Sequence, residues 1–191
     1  MSKKYRLIKE TIRLQVDLDI SLKILTIDQV TQEYVTWLND KSIMALTEQA
    51  DVSHSIETTI DYVDSCFKNP LIYFFGIFFH EEHIGNIKLG PVNEKHATAD
   101  IAYVIGSRQY WGQGIASRVI HAIIAFGFAE LDLHKISAGA YENNIGSIKA
   151  LLKNQMAIEG KLLEEVLFEN KRINSLRLGV LKTNFIPNFF S

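Results

Sequence analysis

Hydrophobic and polar residues alternate at the start of the chain and then change to a helical spacing. The alternation between residues 11 and 27 predicts one or two β-strands. Apolar residues recur at helical spacing after Asp28, a typical helix N-cap residue, at Val30, Tyr34, Val35 and Leu38. Residues 41–55 predict a short helix and a polar loop, and residues 57–68 predict a longer helix that ends before a proline.

Three strand-like segments follow in close succession. They cover residues 71–80, 83–90 and 96–105 and contain many aromatic and β-branched residues. Gly85 interrupts the second segment and indicates a β-bulge there. Because only short turns separate the segments, they are predicted to form an antiparallel meander.

The second half of the chain alternates helices with strands. An apolar helix is predicted after Gly112, where Ile115, Val119, Ile123, Phe126 and Ala129 share one face. A strand at residues 133–141, a helix at 143–154 and strands at 157–168 and 173–181 complete the pattern. The sequence therefore predicts a mixed α/β fold, with a mostly antiparallel central sheet flanked by helices.

Length and composition indicate a single domain. The chain has 191 residues, of which 47% are hydrophobic and 22% are charged, as in ordinary globular proteins. We expect one domain over residues 1–191, with a flexible tail at 1–10 and a C-terminal tail at 184–191. The formal net charge of −2 argues against nucleic acid as a partner.

Neither a membrane segment nor a metal site is expected. The longest apolar run, nine residues at 71–79, is too short to cross a bilayer as a helix, and no apolar signal region precedes Glu10. These features predict a cytoplasmic protein. Cys66 is the only cysteine, so we expect a buried structural thiol, with no disulfide framework and no cysteine-based zinc site.

The most informative stretch is at residues 100–128, where a strand, a glycine-containing loop and an apolar helix follow one another. The loop contains Gly106, Gly112 and Gly114. Such an arrangement gathers unpaired backbone N–H groups at the positive end of a helix, which suits a phosphate or pyrophosphate. Taken by itself, the glycine spacing is equally compatible with an ordinary strand-to-helix connection.

Two motifs then give the stretch a family resemblance. The run QYWGQG at 109–114 resembles the Gln/Arg-x-x-Gly-x-Gly/Ala signature of the GNAT superfamily of acyl-CoA N-acetyltransferases, with Gln109, Gly112 and Gly114 in the matching positions. A second run, at 142–156, is similar to a helix of the branch that acetylates the N-terminal alanine of ribosomal proteins. The positions that fit this helix are Asn144, Ser147, Ile148 and Lys153.

Three positions of the second motif differ from the family pattern. Leu151 stands in place of a tyrosine, Gln155 in place of a glycine, and Met156 in place of a phenylalanine. Since the tyrosine is a common proton donor of the superfamily, its replacement by leucine removes that mechanism. Ser147, one helical turn earlier, is then the candidate acid for the departing thiolate, and its alternative role is to let the helix approach the cofactor closely.

The resemblance implies a GNAT-like fold and a direct transfer of acetyl from acetyl-CoA, used as a co-substrate without a metal. The residues expected to bind coenzyme A lie on the predicted strand at 96–105, in the glycine loop, and at the start of the helices predicted after Gly112 and at 143–154. They are Tyr103, Val104, Ile105, Gln109, Trp111, Gly112, Gln113, Gly114, Ile115, Ala116 and Asn144. The strand would hold the pantetheine arm and polarise the thioester carbonyl, and the loop would hold the pyrophosphate.

The general base is predicted at Asp100, which stands where many members of this branch carry a glutamate that acts through water. An aspartate that only makes a turn hydrogen bond is the equally weighted alternative. Other titratable candidates are His54, Glu57, His83 and His96.

The acceptor is a primary amine of unspecified identity. The segment at 83–106 resembles members that acetylate nucleotide-linked amino sugars, and positive charge for a nucleotide would come from Lys88, Lys95, His96, Lys171 and Arg172. A protein N-terminal amine is a second hypothesis, and a degenerate domain that binds acyl-CoA without turnover is a third. A monomer or a homodimer is expected.

Overall fold

A computed structural model describes residues 9–187 and places eight strands in one sheet. The strands are β1 (Arg13–Gln15), β2 (Ile20–Ile24), β3 (Tyr73–Phe79), β4 (Glu82–Leu89), β5 (Thr98–Ile105), β6 (Lys135–Tyr141), β7 (Ala157–Phe168) and β8 (Lys171–Leu181). Their spatial order is β1-β2-β3-β4-β5-β6-β8-β7. All neighbours pair antiparallel except β5 and β6, which are parallel. The predicted mixed, mostly antiparallel sheet is confirmed.

Within residues 9–187, five α-helices flank the sheet. They are α1 (Gln32–Asn39), α2 (Lys41–Met44), α3 (Ile56–Lys68), α4 (Ile115–Ala129) and α5 (Ile145–Lys153). Side chains cap four of them, since Thr31, Asp40, Ser55 and Asn144 each accept a hydrogen bond from a backbone N–H in the first turn. The fifth, α4, has Gly114 at its N-cap position, which has no side chain to offer.

One prediction about a boundary is wrong. The first long helix begins after Thr31, whose hydroxyl accepts a hydrogen bond from Tyr34 N at 3.2 Å, and Asp28 lies in a separate 3₁₀ turn at Ile27–Gln29. Lys9, which lies within the tail predicted at 1–10, is buried, and its ammonium donates to the carbonyls of Cys66, Phe67 and Asn69. That ammonium satisfies carbonyls that the end of α3 leaves without helical partners.

The predicted C-terminal tail is partly packed against the body of the protein. Phe185 is buried and its ring contacts that of Phe128 edge-on, with 5.5 Å between centroids. Ile186 N donates to Gln155 Oε1 at 2.9 Å. Residues 188–191 and residues 1–8 lie outside the described part of the chain.

The main core lies between one face of the sheet and α4. The apolar face of this helix is fully buried, at Val119, Ile120, Ile123 and Ile124, and each such side chain contributes roughly 1.5–3 kcal/mol through burial. Asn154, also fully buried, joins α5 to α4, because its Nδ2 donates to Ser117 O at 2.9 Å and to Ala150 O at 2.8 Å. The position of α5 is therefore set by a polar contact as well as by packing.

The opposite face of the sheet is covered only in part. A second apolar cluster, which includes Tyr34, Val63 and Phe74, fills the space between α1, α3 and the strands near β3. Over β5 and β6 the cover is missing, since Asp100, Ala102 and Gly139 are exposed although they lie within the sheet. This bare part of the sheet forms the floor of the candidate site.

Candidate active site

The two parallel strands at the centre of the sheet separate towards their carboxyl ends. Register pairing of β5 with β6 runs from Thr98 opposite Lys135 to Ile101 opposite Ala138 and stops there, whereas the strands continue to Ile105 and Tyr141. Backbone groups of the two strand ends therefore face a gap rather than each other. We call the gap between 102–105 and 139–141 the strand wedge.

The direction of the backbone groups along β5 decides which residues serve the wedge. Asp100 O accepts from Gly90 N at 2.8 Å, and Gly106 N donates to Ile84 O at 2.8 Å, both on the β4 side. Because successive residues of a strand turn their N–H and C=O groups to opposite sides, Tyr103 and Ile105 turn theirs towards the wedge. Tyr103, Val104 and Ile105 were predicted to bind coenzyme A. Of these three, Val104 turns its backbone N–H and C=O groups towards β4 instead of the wedge.

A β-bulge in β4 accompanies this geometry, as Gly85 predicted. The register with β3 shifts between Ile77, which lies opposite Gly85, and Phe78, which lies opposite His83. A Cβ atom at residue 85 would lie only 2.3 Å from the Val104 carbonyl oxygen. Glycine therefore permits the close approach of β4 to β5 beside the wedge.

The glycine loop leads from the wedge into α4. Gly112 and Gly114 have φ angles of +75° and +73°, a left-handed conformation that glycine adopts without a steric penalty. A Cβ atom at either position would have no neighbour within 4 Å. Because no side chain caps α4, its first N–H groups are available to a ligand in this open space.

Side-chain hydrogen bonds attach the glycine loop to the neighbouring strands. The carboxylate of Glu82, on β4, accepts from Gln109 Nε2 at 3.1 Å and from the Tyr110 hydroxyl at 2.7 Å, a bond that raises the pKa of this tyrosine. Trp111 Nε1 donates to Ile105 O at 2.8 Å, and Gln113 Nε2 donates to Gln109 O at 2.8 Å. The loop is thereby tied to both β4 and β5.

Not all predicted loop residues reach the site. Those that line the cleft are Trp111, Gly112, Gly114, Ile115 and Ala116, together with Tyr103, Val104, Ile105 and Asn144 from the neighbouring elements. Gln109 and Gln113 are absent from this lining, and their side chains are bonded to Glu82 of β4 and to the backbone of the loop, respectively.

The start of α5 brings Ser147 to the other side of the wedge. Asn144 Oδ1 accepts from Ser147 N at 3.0 Å and so caps the helix. The Ser147 hydroxyl oxygen accepts from the Tyr103 hydroxyl at 2.9 Å. Burial raises the pKa of Tyr103, and the bond to Ser147 only partly offsets this effect. Leu151, by contrast, is fully buried in the core and does not line the cleft.

The bare sheet face carries a different set of groups. Asp100 forms an ion pair with Arg177 of β8. At the end of β6, the Tyr141 hydroxyl donates to Glu48 Oε1 at 2.6 Å, and burial followed by this bond raises the pKa of Tyr141. Next to it on β8, opposite Tyr141 in register, Ser175 donates to the Glu165 carboxylate.

The other predicted bases are distributed unevenly. His54 lines the cleft, whereas Glu57 and His96 do not. His83 lies among the rings of Tyr34, Trp37 and Phe78, with its Nε2 at 2.9 Å from Asn86 Oδ1. Burial lowers the pKa of His83, and this residue is not part of the cleft lining.

The cationic residues predicted to bind a nucleotide do not converge. Lys88 lines the cleft, where its ammonium donates to the Tyr62 hydroxyl at 3.0 Å. Lys95, His96, Lys171 and Arg172 are not part of the lining. The structure therefore gathers one of these five side chains at the site.

The wedge, the glycine loop and the bare sheet face bound one open cleft of about 2210 Å³. Within residues 9–187, no group of histidine, cysteine, aspartate and glutamate side chains is arranged to hold a metal ion. No helix in the same part of the chain has the length and apolar character needed to span a bilayer. The cleft thus offers hydrogen-bonding groups and paired charges as its chemistry.

Three features of the cleft were not predicted from the sequence. They are the contact of the Tyr103 side chain with Ser147, the attachment of the glycine loop to Glu82, and the Glu48–Tyr141 pair. The alternation of β5 places Tyr103 on the same face as Ile101 and could have indicated that its ring turns towards the helices. The partners are distant in sequence, so no local pattern identifies them.

Sequence comparison finds one matching family, described as the Acetyltransferase (GNAT) domain, over residues 22–157. An N-acetyltransferase named p20 of *Bacillus licheniformis* is 30% identical over 105 residues, which are 55% of this chain and 58% of p20. The spermidine N(1)-acetyltransferase of *Escherichia coli* K12 is 26% identical over 105 residues, 55% of this chain and 56% of that protein. The chain thus spans somewhat more than half of the length of these curated relatives.

Solved structures share the fold over nearly their whole length. A spermidine N-acetyltransferase from *Vibrio cholerae*, in complex with CoA and spermine, superposes with a TM-score of 0.79 at 19% identity, covering 88% of this chain and 98% of that one. A ribosomal L7/L12 α-N-protein acetyltransferase in complex with coenzyme A gives 0.80 at 15% identity, covering 89% and 98%. At such identities the likeness concerns the fold.

Proposed function

Because the chain belongs to the GNAT acetyltransferase domain family, we propose that it is an enzyme that transfers acetyl from acetyl-CoA to a primary amine. The observation that carries this proposal is the strand wedge, which leads directly into a glycine loop at an uncapped helix N-terminus. A strand edge suits the amide-containing pantetheine arm, and the helix N-terminus suits a pyrophosphate. Few other ligands require both in this order.

The donor would lie along the wedge and the loop. The backbone groups of Tyr103 and Ile105 would bind the pantetheine amides, and one of their N–H groups would stabilise the oxyanion that forms from the thioester carbonyl. Asn144 uses Oδ1 to cap α5, so its amide nitrogen would be the atom that contacts the arm. The pyrophosphate would accept from the N–H groups at 112–116.

The chemistry requires a base for the amine and stabilisation of the departing thiolate. The amine nitrogen attacks the thioester carbon, the carbon–sulfur bond breaks, and the electron pair of that bond leaves on sulfur. Ser147, at the end of the wedge, would donate a hydrogen bond to this sulfur. Asp100 would accept the surplus proton of the amine through a water molecule, in competition with its partner Arg177.

For the acceptor, the charges at the end of β6 favour a cationic amine over a nucleotide-linked amino sugar, whereas the lining of the whole cleft is balanced, with carboxylates at Glu48, Asp51, Asp100, Glu165 and Glu169 and cationic groups at Lys41, Lys88, Lys149, Lys153 and Arg177. Two carboxylates, Glu48 and Glu165, flank the end of β6 through Tyr141 and Ser175. Only Lys88 of the five predicted phosphate-binding cations lies at the cleft. Carboxylates attract an ammonium and repel a diphosphate. The spermidine acetyltransferases among the similar proteins act on acceptors of this charge.

The other two hypotheses make distinct demands. A protein N-terminal amine, as in the ribosomal-protein acetyltransferase, also carries positive charge and would need the open mouth of the cleft for the rest of the peptide. A degenerate acyl-CoA-binding domain would need no hydrogen-bond donor at the sulfur position. The presence of Ser147 at the wedge, already bonded to Tyr103, argues against that third hypothesis.

A thiol-release assay tests the proposal. The protein with acetyl-CoA is offered spermidine, N-terminal peptides and nucleotide-linked amino sugars, and release of coenzyme A is followed with a thiol reagent. We expect release with spermidine or another cationic amine and none with the nucleotide sugars. Release with nucleotide sugars alone would overturn the acceptor assignment, and tight CoA binding without release with any amine would support the degenerate domain.

The variant Glu48→Gln then tests the contribution of the cleft carboxylates. Removing one charge should raise KM for a cationic acceptor about three- to tenfold, as expected for a partly solvated charge pair, without a change in the affinity for acetyl-CoA. Glu57→Gln is the matched control, because Glu57 does not line the cleft. An equal effect of both substitutions would argue against recognition by Glu48.

A further inference from the structure

The hydroxyls of Tyr103 and Ser147 form a side-chain pair across the strand wedge. Tyr103 lies on β5 beyond the last residue paired with β6, and Ser147 lies in the first turn of α5. The two oxygens are 2.9 Å apart, and both residues line the cleft. Backbone binding of the pantetheine arm makes no use of the phenol group, so this contact needs a separate explanation.

The chemistry of the two groups sets the direction of the hydrogen bond. A phenol is more acidic than an aliphatic alcohol and is therefore the better donor. The partly buried Tyr103 retains its proton, since burial raises its pKa. When it donates to Ser147 Oγ, one lone pair of that oxygen is occupied, and the proton of Ser147 must be directed elsewhere.

Two directions remain for that proton. A serine in a helix can donate back to the carbonyl four residues earlier, or it can donate into the cleft. Each hydrogen bond in a chain polarises the next one, so the bond from Tyr103 makes Ser147 a stronger donor towards an anion in the cleft. A thiolate at the end of the wedge is such an anion.

We infer that Tyr103 is a positioning residue that aims the Ser147 hydroxyl at the sulfur of coenzyme A, in place of the tyrosine that Leu151 replaces. The inference rests on the proposed function, since it requires coenzyme A in the wedge. Neither Tyr103 nor Ser147 loses a proton. The electron pair of the broken carbon–sulfur bond stays on sulfur, and Ser147 stabilises that charge by a hydrogen bond.

The pKa of the thiol of bound coenzyme A measures this arrangement without any acceptor. It is obtained from the ultraviolet absorbance of the thiolate as the pH of the complex is raised. Because Ser147 would donate a hydrogen bond to the charged thiolate, the loss of that bond in Ser147→Ala should raise the thiol pKa by roughly one to two units. In Tyr103→Phe it should rise by a similar or somewhat smaller amount, while the affinity for coenzyme A changes less than about threefold.

The double variant and a matched control separate positioning from packing. Tyr103→Phe together with Ser147→Ala should shift the thiol pKa no further than Ser147→Ala alone, because Tyr103 acts through Ser147. Tyr73→Phe removes another buried phenol hydroxyl, on β3 away from the cleft, and should leave the thiol pKa unchanged. Additive shifts, or an unchanged thiol pKa in Tyr103→Phe, would overturn the inference.

A second substitution at Tyr103 tests the inference even if the Tyr103→Phe variant misfolds. Replacing Tyr103 by 3-fluorotyrosine keeps the hydroxyl and makes it a stronger donor, so the thiol pKa should fall below that of the unmodified protein. A packing role predicts no such decrease, and its absence would overturn the inference. Failure of the unmodified protein to bind coenzyme A would instead overturn the proposed function, and with it the role of Tyr103.

Discussion

The two halves of the cleft are built in different ways. The half formed by the strand wedge and the glycine loop offers backbone groups, at Tyr103, Ile105 and the start of α4. Its side chains form hydrogen bonds to β4, to β5 and to the loop backbone, which support the loop. The half formed by the bare sheet face offers side chains that are paired with each other, as in Asp100–Arg177 and Glu48–Tyr141. Backbone groups would hold the proposed acetyl donor, whereas side chains would select the acceptor.

This difference explains why the donor is easier to assign than the acceptor. A backbone site needs glycine at particular positions, and Gly112 and Gly114 at φ angles of +75° and +73° meet that need. A side-chain site depends on residues from β5, β6, β7, β8 and the loop after α2. Four experiments test the contrast, from the largest expected effect to the smallest.

The first substitution, Gly112→Asp, tests the backbone half. It places a carboxylate where a pyrophosphate would bind, in space with no neighbour within 4 Å. Charge repulsion should weaken coenzyme A binding at least ~100-fold at low salt, measured by calorimetry. Gly112→Asn is the matched control, because asparagine tolerates a positive φ angle without the charge. Equal affinities for the two variants would remove the loop from the phosphate site.

Ser147→Ala tests the junction of the two halves. Loss of one hydrogen bond to a developing thiolate should lower turnover about 10- to 100-fold, with a much smaller effect on the affinity for acetyl-CoA. Steady-state kinetics with the best acceptor from the panel gives both quantities. If turnover is unchanged, the Ser147 side chain only packs at the start of α5.

Asp100→Asn and Arg177→Gln together test the side-chain half. If Asp100 is the base, Asp100→Asn should lower turnover about tenfold or more, while Arg177→Gln should leave it unchanged or raise it by releasing the carboxylate. If the two residues form only a structural ion pair, both substitutions should have the same effect, worth ~0–1 kcal/mol of stability. Turnover and thermal unfolding of the two variants decide between these outcomes.

His83→Phe tests the packing of the sheet against α1, where His83 lies among the rings of Tyr34, Trp37 and Phe78, and should have the smallest effect. Burial lowers the pKa of His83 below its ordinary value of 6.5, so the unfolded chain binds the proton more readily than the folded one. Stability from this residue is therefore present above about pH 6.5 and is lost as the pH falls towards the folded pKa, by up to ~1.4 kcal/mol per pH unit. The variant should flatten this dependence in unfolding experiments between pH 5 and pH 7. A change in stability that is equal at every pH would contradict the assignment.

Much of the fold was predictable because its elements carry local patterns. The strands β3 to β5, predicted from their aromatic and β-branched residues, the helical spacing of α4 and the bulge beside Gly85 were all confirmed. The first helix was misplaced because Asp28 and Thr31 are both good N-cap residues, and Asp28 lies instead within a 3₁₀ turn at Ile27–Gln29. Lys9 was assigned to a tail because its partners, three carbonyls near the end of α3, are nearly sixty residues away.

By itself, the sequence determined the glycine loop and the helix that follows it. It also determined that Ser147 lies one helical turn before Leu151, which stands in place of the family's tyrosine. These features depend on residues that are neighbours along the chain. Only the tertiary structure decided that β5 and β6 separate after Ile101, that Tyr103 meets Ser147 across the gap, and that Arg177 pairs with Asp100. Each of these features depends on the relative position of strands or helices that are distant in sequence. Packing of the whole sheet sets that position, and it therefore decides which side chains meet.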